Sequence, residues 1–482
     1  MDVFLTGKLL RSFQEALYIA GMTTGTPTST VQTAGSGTER PGRPAPVWPT
    51  GIEPTPEFET ALAFIHKRDG DLFVTGRAGT GKSTLLRTLR DSLGQGCAVV
   101  APTGLAGVQV GGQTIHSFFG LPPRLIQPED IRKSRNGAVM RRLDTLIIDE
   151  VSMVRADLMH GIDMSLRLNR GRSKEPFGGV QLVLFGDLHQ LPPVVDNQSA
   201  GYLHETFGGP FFFQAPAFRD GRCVLLELGH VFRQSDEDFI RVLNAIREGD
   251  AGPDELDLLN ARVSPLSRLR DAGDAVILTT TNAAATRINQ AFLQALPGEE
   301  KVYTATVTGE YSPGAYPTEA DLVLKAGAKV ILIRNDSLKR WVNGTLAEVS
   351  RIEGERVWIK IGKKEHELEP IAWESIRFAY DTTKDEITRT VAGTFSQLPV
   401  RLAWALTIHK AQGLTLDRVY IDLGRGAFAH GQTYVALSRC RTLEGLRLGR
   451  PLRPSDIMFD QAALGYRDNN TPLGERPKNR LL

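Results

Sequence analysis

The stretch DLFVTGRAGTGKSTLLRTL, Asp71 to Leu89, decides the fold. It opens as a short apolar run, the pattern of a fully buried strand. It passes through GRAGTGKS, Gly76 to Ser83, which fits G-x-x-x-x-G-K-[ST], and continues as the helix KSTLLRTLRDSL. Strand, glycine-rich turn and helix in that order are the setting that gives the pattern its meaning. Glycines let backbone N–H groups turn inward around phosphate oxygens, and the helix N-terminus adds positive potential. Gly76, Gly79, Thr80, Gly81, Lys82, Ser83 and Thr84 are therefore the expected nucleotide-binding residues. Lys82 would reach the β- and γ-phosphates of ATP, and Ser83 would ligate Mg2+.

Outward from this unit the pattern is α/β. The apolar runs CAVVAPT, TLIIDE and LVLFGD follow, each separated from the next by a helical stretch. Such alternation predicts a parallel sheet covered on both faces. A second set starts near residue 223 with CVLLEL, AVILTTT and the helix NAAATRINQAFLQAL. It resumes at RLAWALTIHKAQG and DRVYIDL. Between them, from about 302 to 397, strands and turns dominate. The expected plan is a first lobe over 55–222, a second over 223–301 and 398–482, and a small β insertion over 302–397. Residues 21–51 are rich in Thr, Gly, Ser and Pro, so 1–54 reads as a flexible N-terminal tail. Leu5, Leu9, Phe13 and Leu17 fall at helical spacing within it, while Asp2 and Glu15 argue against a mitochondrial presequence.

The 482 residues are too many for one core, and a composition of 41% hydrophobic and 23% charged residues is that of an ordinary globular protein. No apolar run reaches the roughly 20 residues of a membrane span, so no membrane partner is expected. The net charge of +2 neither demands nor opposes nucleic acid. Cys97, Cys223 and Cys440 show no C-x-x-C spacing and read as small core hydrophobes in a reducing compartment, with a cytoplasmic setting expected and a nuclear or mitochondrial one left open.

Two further strand ends carry chemistry. LIIDE places Asp149 to hold the magnesium and Glu150 to polarise the attacking water as general base. LVLFGDLHQLPP ends a core strand on Gly186, Asp187, His189 and Gln190, then stiffens its exit with Pro192 and Pro193. Ligands sit at the carboxyl ends of strands in open α/β sheets. Gln190 is thus placed to bond the γ-phosphate or the attacking water, and Asp187 to orient the loop; His189 has no assigned role. Arg233 in LGHVFRQ and Arg439 in YVALSRCRTLEGL would stabilise charge on the transferred phosphoryl group.

The series GRAGTGKST, APTGLAG, QTIHSFFG, LIIDEVSMV, FGDLHQLPPV, LGHVFRQ, VNGT, LTIHKAQGLTLD and YVALSRCRTLEGL resembles superfamily-one DNA helicases of the 5′→3′ branch. MSLRLNRGRSKE and PFGGVQ make it most similar to the Pif type within that branch, over about residues 58–448. The resemblance implies two RecA-like P-loop lobes with ATP between them. It also implies an SH3-like β insertion in the second lobe and a short wedge insertion, about 120–137, in the first. The wedge would carry Arg124, Arg132, Lys133 and Arg135. Lys82, Asp149, Glu150, Gln190, Arg233 and Arg439 become the expected catalytic set, with Ser83 and Asp149 holding Mg2+.

Single strands are held by groups that bond the backbone and by rings on which bases stack. Thr103, Thr114, His116 and Phe118 offer both kinds, and Thr407, His409, Lys410 and Gln412 repeat the chemistry. The resemblance lines a DNA path with these two segments, one per lobe. The expected activity is ATP-dependent 5′→3′ unwinding by a monomer acting on single-stranded and tailed duplex DNA. Forks, RNA–DNA hybrids and G-quadruplexes are open as substrates, the resemblance favouring G-quadruplex DNA. One departure stands out: no Gln occurs between residues 33 and 75, where the family reads adenine with a Gln.

Overall fold

Strand β1 (Asp71–Gly76) is buried at every position. So are β2 (Cys97–Ala101), β4 (Thr145–Ile148) and β5 (Gln181–Phe185), which it joins in one sheet with β3 (Gln113–Thr114) and β6 (Cys223–Leu228). The order is β3-β2-β4-β5-β1-β6, and every pairing is parallel. The apolar runs do not alternate with polar residues because both faces are covered. Phe73, Ile148 and Leu184 enter one core, while Leu72, Val74, Ile147 and Val183 enter the core on the opposite face. These coordinates are a computed structural model that describes Trp48 and residues 54–219, 221, 223–230, 232, 236–265, 274–381, 383–384, 386–468 and 473. The tail expected over 1–54, Trp48 and Pro54 apart, lies outside them, and so does Arg233.

The second parallel sheet begins with β7 (Val276–Thr279). The chain then leaves it for β8 (Lys301–Thr304), β9 (Thr306–Gly309), β10 (Asp321–Leu324), β11 (Lys329–Leu332), β12 (Leu346–Glu353), β13 (Arg356–Ile361), β14 (Lys364–Leu368), β15 (Ile371–Asp381), β16 (Glu386–Gln397) and β17 (Val400–Leu402). These strands form small antiparallel sheets, the largest in the order β14-β13-β12-β11-β17. β18 (Ala405–Thr407), β19 (Val419–Asp422) and β20 (Leu446–Leu448) then return to complete β18-β7-β19-β20. No described helix is long and apolar enough to cross a membrane.

Two domain boundaries are corrected. CVLLEL does not open the second lobe: Cys223–Leu228 pairs with β1 from Asp71 to Gly76 and forms the edge of the first sheet. An apolar strand carries no mark of which sheet it will join; hydrogen-bond pairing decides that. The β insertion, inserted in the chain as expected, also packs on the first lobe. The hairpin β15–β16 buries Phe378 and Ile387 in the first lobe's core, where the Phe378 ring lies 5.7 Å from that of Phe118. Finally, the C-terminal segment leaves the second lobe. Leu452 belongs to the second core, but Ala463 sits in the first, and the backbone N–H of Leu473 donates to Leu225 O at 2.7 Å.

Tyr466, on the helix Gln461–Asp468, stacks on Phe213 at 4.3 Å and 20° and packs beside Phe73 and Phe212. Truncating a fully buried aromatic ring costs about 3–5 kcal/mol. For the partly buried Tyr466, Tyr466→Ala should lower unfolding free energy by about 2 kcal/mol in urea titration. A neutral result would show that this helix does not contribute to the first lobe's stability.

Candidate active site

Sheet order builds the site. β5 lies between β1 and β4, so three parallel strand ends open side by side on one edge. The loop after β1 is the glycine-rich turn, the loop after β4 carries Asp149 and Glu150, and the loop after β5 carries Asp187 and Gln190. Gly76, Gly79 and Gly81 all take positive φ, at 154°, 87° and 86°. A Cβ on Gly76 would lie 2.7 Å from Thr80 Oγ1 and 2.9 Å from Leu228 O, so the turn closes only without a side chain there. Lys82 Nζ donates to Gly76 O at 2.5 Å and to Arg77 O at 2.9 Å. An ammonium resting on neutral carbonyls gains by exchanging them for charged phosphate oxygens. The Thr80 hydroxyl ties the turn to Arg77 O at 3.0 Å, and Ser83 and Thr84 line the cleft.

The carboxylate pair is electrostatically loaded. Burial, then the neighbouring Glu150, push the Asp149 carboxyl up to about 7 against the pull of Lys82 and Arg87. Burial also raises Glu150, with Lys82 and Arg439 opposing. Glu150 adopts the left-handed conformation, φ 49° and ψ 44°, which is strained for a residue with a side chain and recurs at functional sites. No cluster of three or more His, Cys, Asp or Glu side chains suited to a metal occurs among the described residues. A hydroxyl from Ser83 and a carboxylate from Asp149 nevertheless fit Mg2+, a hard cation that takes few protein oxygens and fills its octahedron with phosphates and water.

The second lobe completes the cleft, a cavity of about 490 Å3 with Lys82, Ser83, Glu150 and Gln190 on one side and Thr415, Arg439 and Arg441 on the other. Arg439 is buried and held in place: Nε donates to Val435 O at 2.9 Å and one terminal nitrogen to Ser438 Oγ at 2.7 Å. Gln412 requires a correction. It lies in this cleft rather than in the group expected on DNA, and its Nε2 donates to Glu150 Oε2 at 3.1 Å and Gln190 Oε1 at 3.2 Å. The turn after β18 swings it away from Lys410, so sequence neighbours face different sites.

Asp187 determines which end of Gln190 faces the cleft. Burial alone would raise the Asp187 carboxyl, but Arg247, helped by His189 and Lys82, outweighs it and holds the group far below the usual carboxylate range. A carboxylate only accepts hydrogen bonds. Gln190 therefore turns Nε2 toward it, at 3.2 Å to Oδ2, and presents Oε1 to the cleft. In this arrangement Oε1 accepts from Gln412 Nε2 at 3.2 Å, an acceptor position that suits the hydrogen of a water better than a phosphate oxygen.

The other residues expected on DNA lie outside the lining of this cleft. Thr103 and Thr114 spend their hydroxyls as helix caps, accepting from Ala106 N at 3.3 Å and Ser117 N at 3.1 Å. Phe118 is fully buried, with its ring 4.9 Å from Phe119, so base stacking on it is ruled out in this structure and the expectation is corrected. Its place on the core face of a short helix, not its type, decides this. Burial lowers the pKa of both His116, where Arg155 adds to the effect, and His409. Thr407 Oγ1 accepts from Lys410 N at 3.2 Å, and both residues line a separate cavity of about 390 Å3 that also contains Arg401. In the expected wedge, Arg124 pairs with Asp130 at 2.7 Å and Arg132 donates to Glu129 O.

Several cleft residues escape sequence reasoning. Phe232 is 56% exposed at the cavity, with its backbone N–H on Gly79 O at 3.0 Å. Phe58, stacked on Trp48 at 5.6 Å, also closes over Gly81, where a Cβ would lie 2.9 Å from its ring. The Tyr434 hydroxyl accepts from Ala78 N at 3.2 Å, binding the glycine-rich turn to the second lobe. Phe232 had a signal in its neighbour Arg233; Tyr434, inside an apolar run, had none.

The depressed Asp187 gives a pH dependence of defined sign. Its contribution to stability is complete above its unfolded value of about 3.9 and is lost as pH falls through the lower native value. Stability measured by urea titration from pH 5 down to about 2 should therefore fall more steeply in the wild type than in Asp187→Asn. Parallel curves would mean that the carboxylate is not held by Arg247.

Residues 57–255 match the family described as PIF1-like helicase. The ATP-dependent DNA helicase PIF1 of Mus musculus is 34% identical over 451 residues, which cover 89% of this chain and 65% of that protein. The chain thus spans less than two thirds of the mouse relative's length. The ATP-dependent DNA helicase Pif1 of Bdellovibrio bacteriovorus is 32% identical, covering 86% of this chain and 92% of the relative. Unliganded Pif1 from Bacteroides sp. superposes with a TM-score of 0.80 at 36% identity, covering 86% of this chain and 97% of that one. The same protein gives 0.79 with ADP-AlF4 and 0.62 bound to ssDNA, at the same identity and share of this chain. With two parallel-sheet lobes closing on one phosphate cleft and relatives matched over nearly their whole length, the chain belongs to the Pif1-like helicase family.

Proposed function

We propose that this chain is an ATP-dependent DNA helicase that moves 5′ to 3′ along single-stranded DNA and unwinds tailed duplexes. The observation that carries this reading is the contact of Gln412 with both Glu150 and Gln190. A hydrolytic site completed by a residue of the other lobe ties each hydrolysis event to lobe movement. That is what a motor needs and a simple phosphatase does not. The relatives' names and the Bacteroides protein's complexes with ADP-AlF4 and ssDNA support it.

The backbone of the turn and Lys82 would hold the phosphates of ATP. Ser83 and Asp149 would hold Mg2+, which supplies charge neutralisation on the β- and γ-phosphates. Glu150 accepts a proton from the attacking water, and Gln190 Oε1 orients it. Arg439 approaches from the second lobe to meet the charge that develops on the phosphoryl group. Phe232 offers a face for the base, a contact indifferent to base edges and in keeping with the missing upstream Gln. Lys410 and Thr407 would meet the DNA backbone, and the reading extends to a monomer that also accepts G-quadruplex DNA.

Unwinding of 5′-tailed and 3′-tailed duplexes and of a 5′-tailed quadruplex tests this directly. Strand release should occur with the 5′ tail only and vanish in Lys82→Ala. Release from the 3′ tail, or unchanged unwinding by Lys82→Ala, would sink the proposal. Base stacking on an aromatic ring contributes about 1–3 kcal/mol, so Phe232→Ala should raise KM for ATP by about tenfold with kcat little changed. Rates with GTP and CTP should lie near that with ATP; strict dependence on ATP would count against a base held by stacking alone.

A further inference from the structure

The loop after β5 belongs to the first lobe by connection but is held by the second. Leu191 is fully buried in the second lobe's core. A Cβ on Gly431 would lie 2.4 Å from His189 O, and His430 Nε2 donates to Leu188 O at 2.6 Å. A two-point contact is made by Arg247, on the helix Glu237–Glu248 whose Phe239, Val242 and Ile246 pack into the second core. One terminal nitrogen of Arg247 lies 3.2 Å from Asp187 Oδ1, and both side chains are buried. Its backbone carbonyl accepts from His189 Nδ1 at 2.9 Å, so side chain and backbone grip adjacent residues of one loop.

This pair is a poor way to gain stability. Removing two charges from water costs several kcal/mol per ion, and apolar residues of similar volume often do as well or better. The geometry is incomplete too: Arg247 Nε is buried without a hydrogen-bond partner, and Glu227 Oε1 lies as far as 3.4 Å from the other terminal nitrogen. What the pair supplies is position. It keeps Asp187 ionised beside Gln190, and so keeps Gln190 Oε1 toward the cleft.

We infer that Arg247 is a positioning residue for hydrolysis: from the second lobe it clasps Asp187, which fixes the Gln190 amide, so the water-orienting acceptor is in place only while the lobes are closed. This rests on the proposed ATP-driven activity and adds a link between lobe closure and the reacting water. His189 gains a role here as the second point of the clasp.

The test compares the full chain with Arg247→Met and with the double variant Asp187→Leu/Arg247→Met, in ssDNA-stimulated ATP hydrolysis and thermal unfolding. A misplaced catalytic contact costs about a hundredfold, so both variants should lose about that much in kcat with KM for ATP within about twofold of wild type. The double variant, with no charge left buried, should unfold at or above the wild-type Tm. The change in ssDNA affinity between ADP and ADP-AlF4 should also collapse in both. Wild-type kcat in the double variant would overturn the inference, as would loss of its fold, since the pair would then be structural. An effect on KM alone would overturn it as well. Absence of ATP hydrolysis in the wild type would instead refute the proposed function.

Discussion

The buried contact between Asp187 and Arg247 joins the two lobes, and the orientation of Gln190 at the cleft depends on it. Each lobe has its own parallel sheet and core. The loop after β5 breaks that independence. Its strand is inside the first core, Leu191 is inside the second, and the polar residues between them are buried, with Gln190 at the edge of the cleft. A polar loop can be buried only if its groups find partners. Here the partners come from both sides, with Gln190 and His189 bonding Asp187 and with Arg247 and His430 reaching in from the second lobe. The site is thus a property of the interface, and nucleotide phosphates would bind where that interface is most polar.

Two further connections bind the lobes together. The hairpin β15–β16 starts from the small β sheets and ends in the first lobe, where Phe378 meets Phe118 and the Phe378 N–H donates to Gln113 Oε1 at 3.4 Å. The C-terminal helix returns to the same lobe and lays Tyr466 on Phe213. The loop around Ala315 lies close over the helix that Thr103 caps: a Cβ on Gly104 would come within 2.3 Å of the Ala315 Cβ. The five-stranded β sheet, by contrast, shares one core with the second lobe, where its Val330, Val349 and Ile359 are clustered with Ile277, Ile288 and Tyr420.

Legibility from sequence followed the range of the forces involved. The glycine-rich turn, its strand and its helix are local, and each residue's part could be reasoned from its neighbours. Asp149, Glu150 and Gln190 were legible because strand ends share one edge of a parallel sheet. The misassignments all involve distant partners. CVLLEL reads as a strand, but only pairing with Asp71–Gly76 places it in the first sheet. Phe118 and His116 look alike as exposed stacking candidates, and the burial of one depends on a hairpin some 260 residues away, the 378 − 118 between Phe378 and Phe118. Gln412 sits two residues from Lys410, yet a single turn sends one to the nucleotide cleft and the other to a separate cavity.

By itself the sequence determined the α/β class, the phosphate-binding turn, the two acids at a strand end and the chemical kind of every cleft residue it named. Hydrophobic period, turn chemistry and side-chain type operate over a few residues, so they are written where they act. Only the tertiary structure decided which amide faces which acid, that Arg247 holds the loop of Gln190, and which lobe owns the strand, hairpin and helix at the boundaries. Those outcomes rest on packing and on pairing of buried charge between segments far apart in the chain, where a residue's neighbours in sequence say nothing about its neighbours in space.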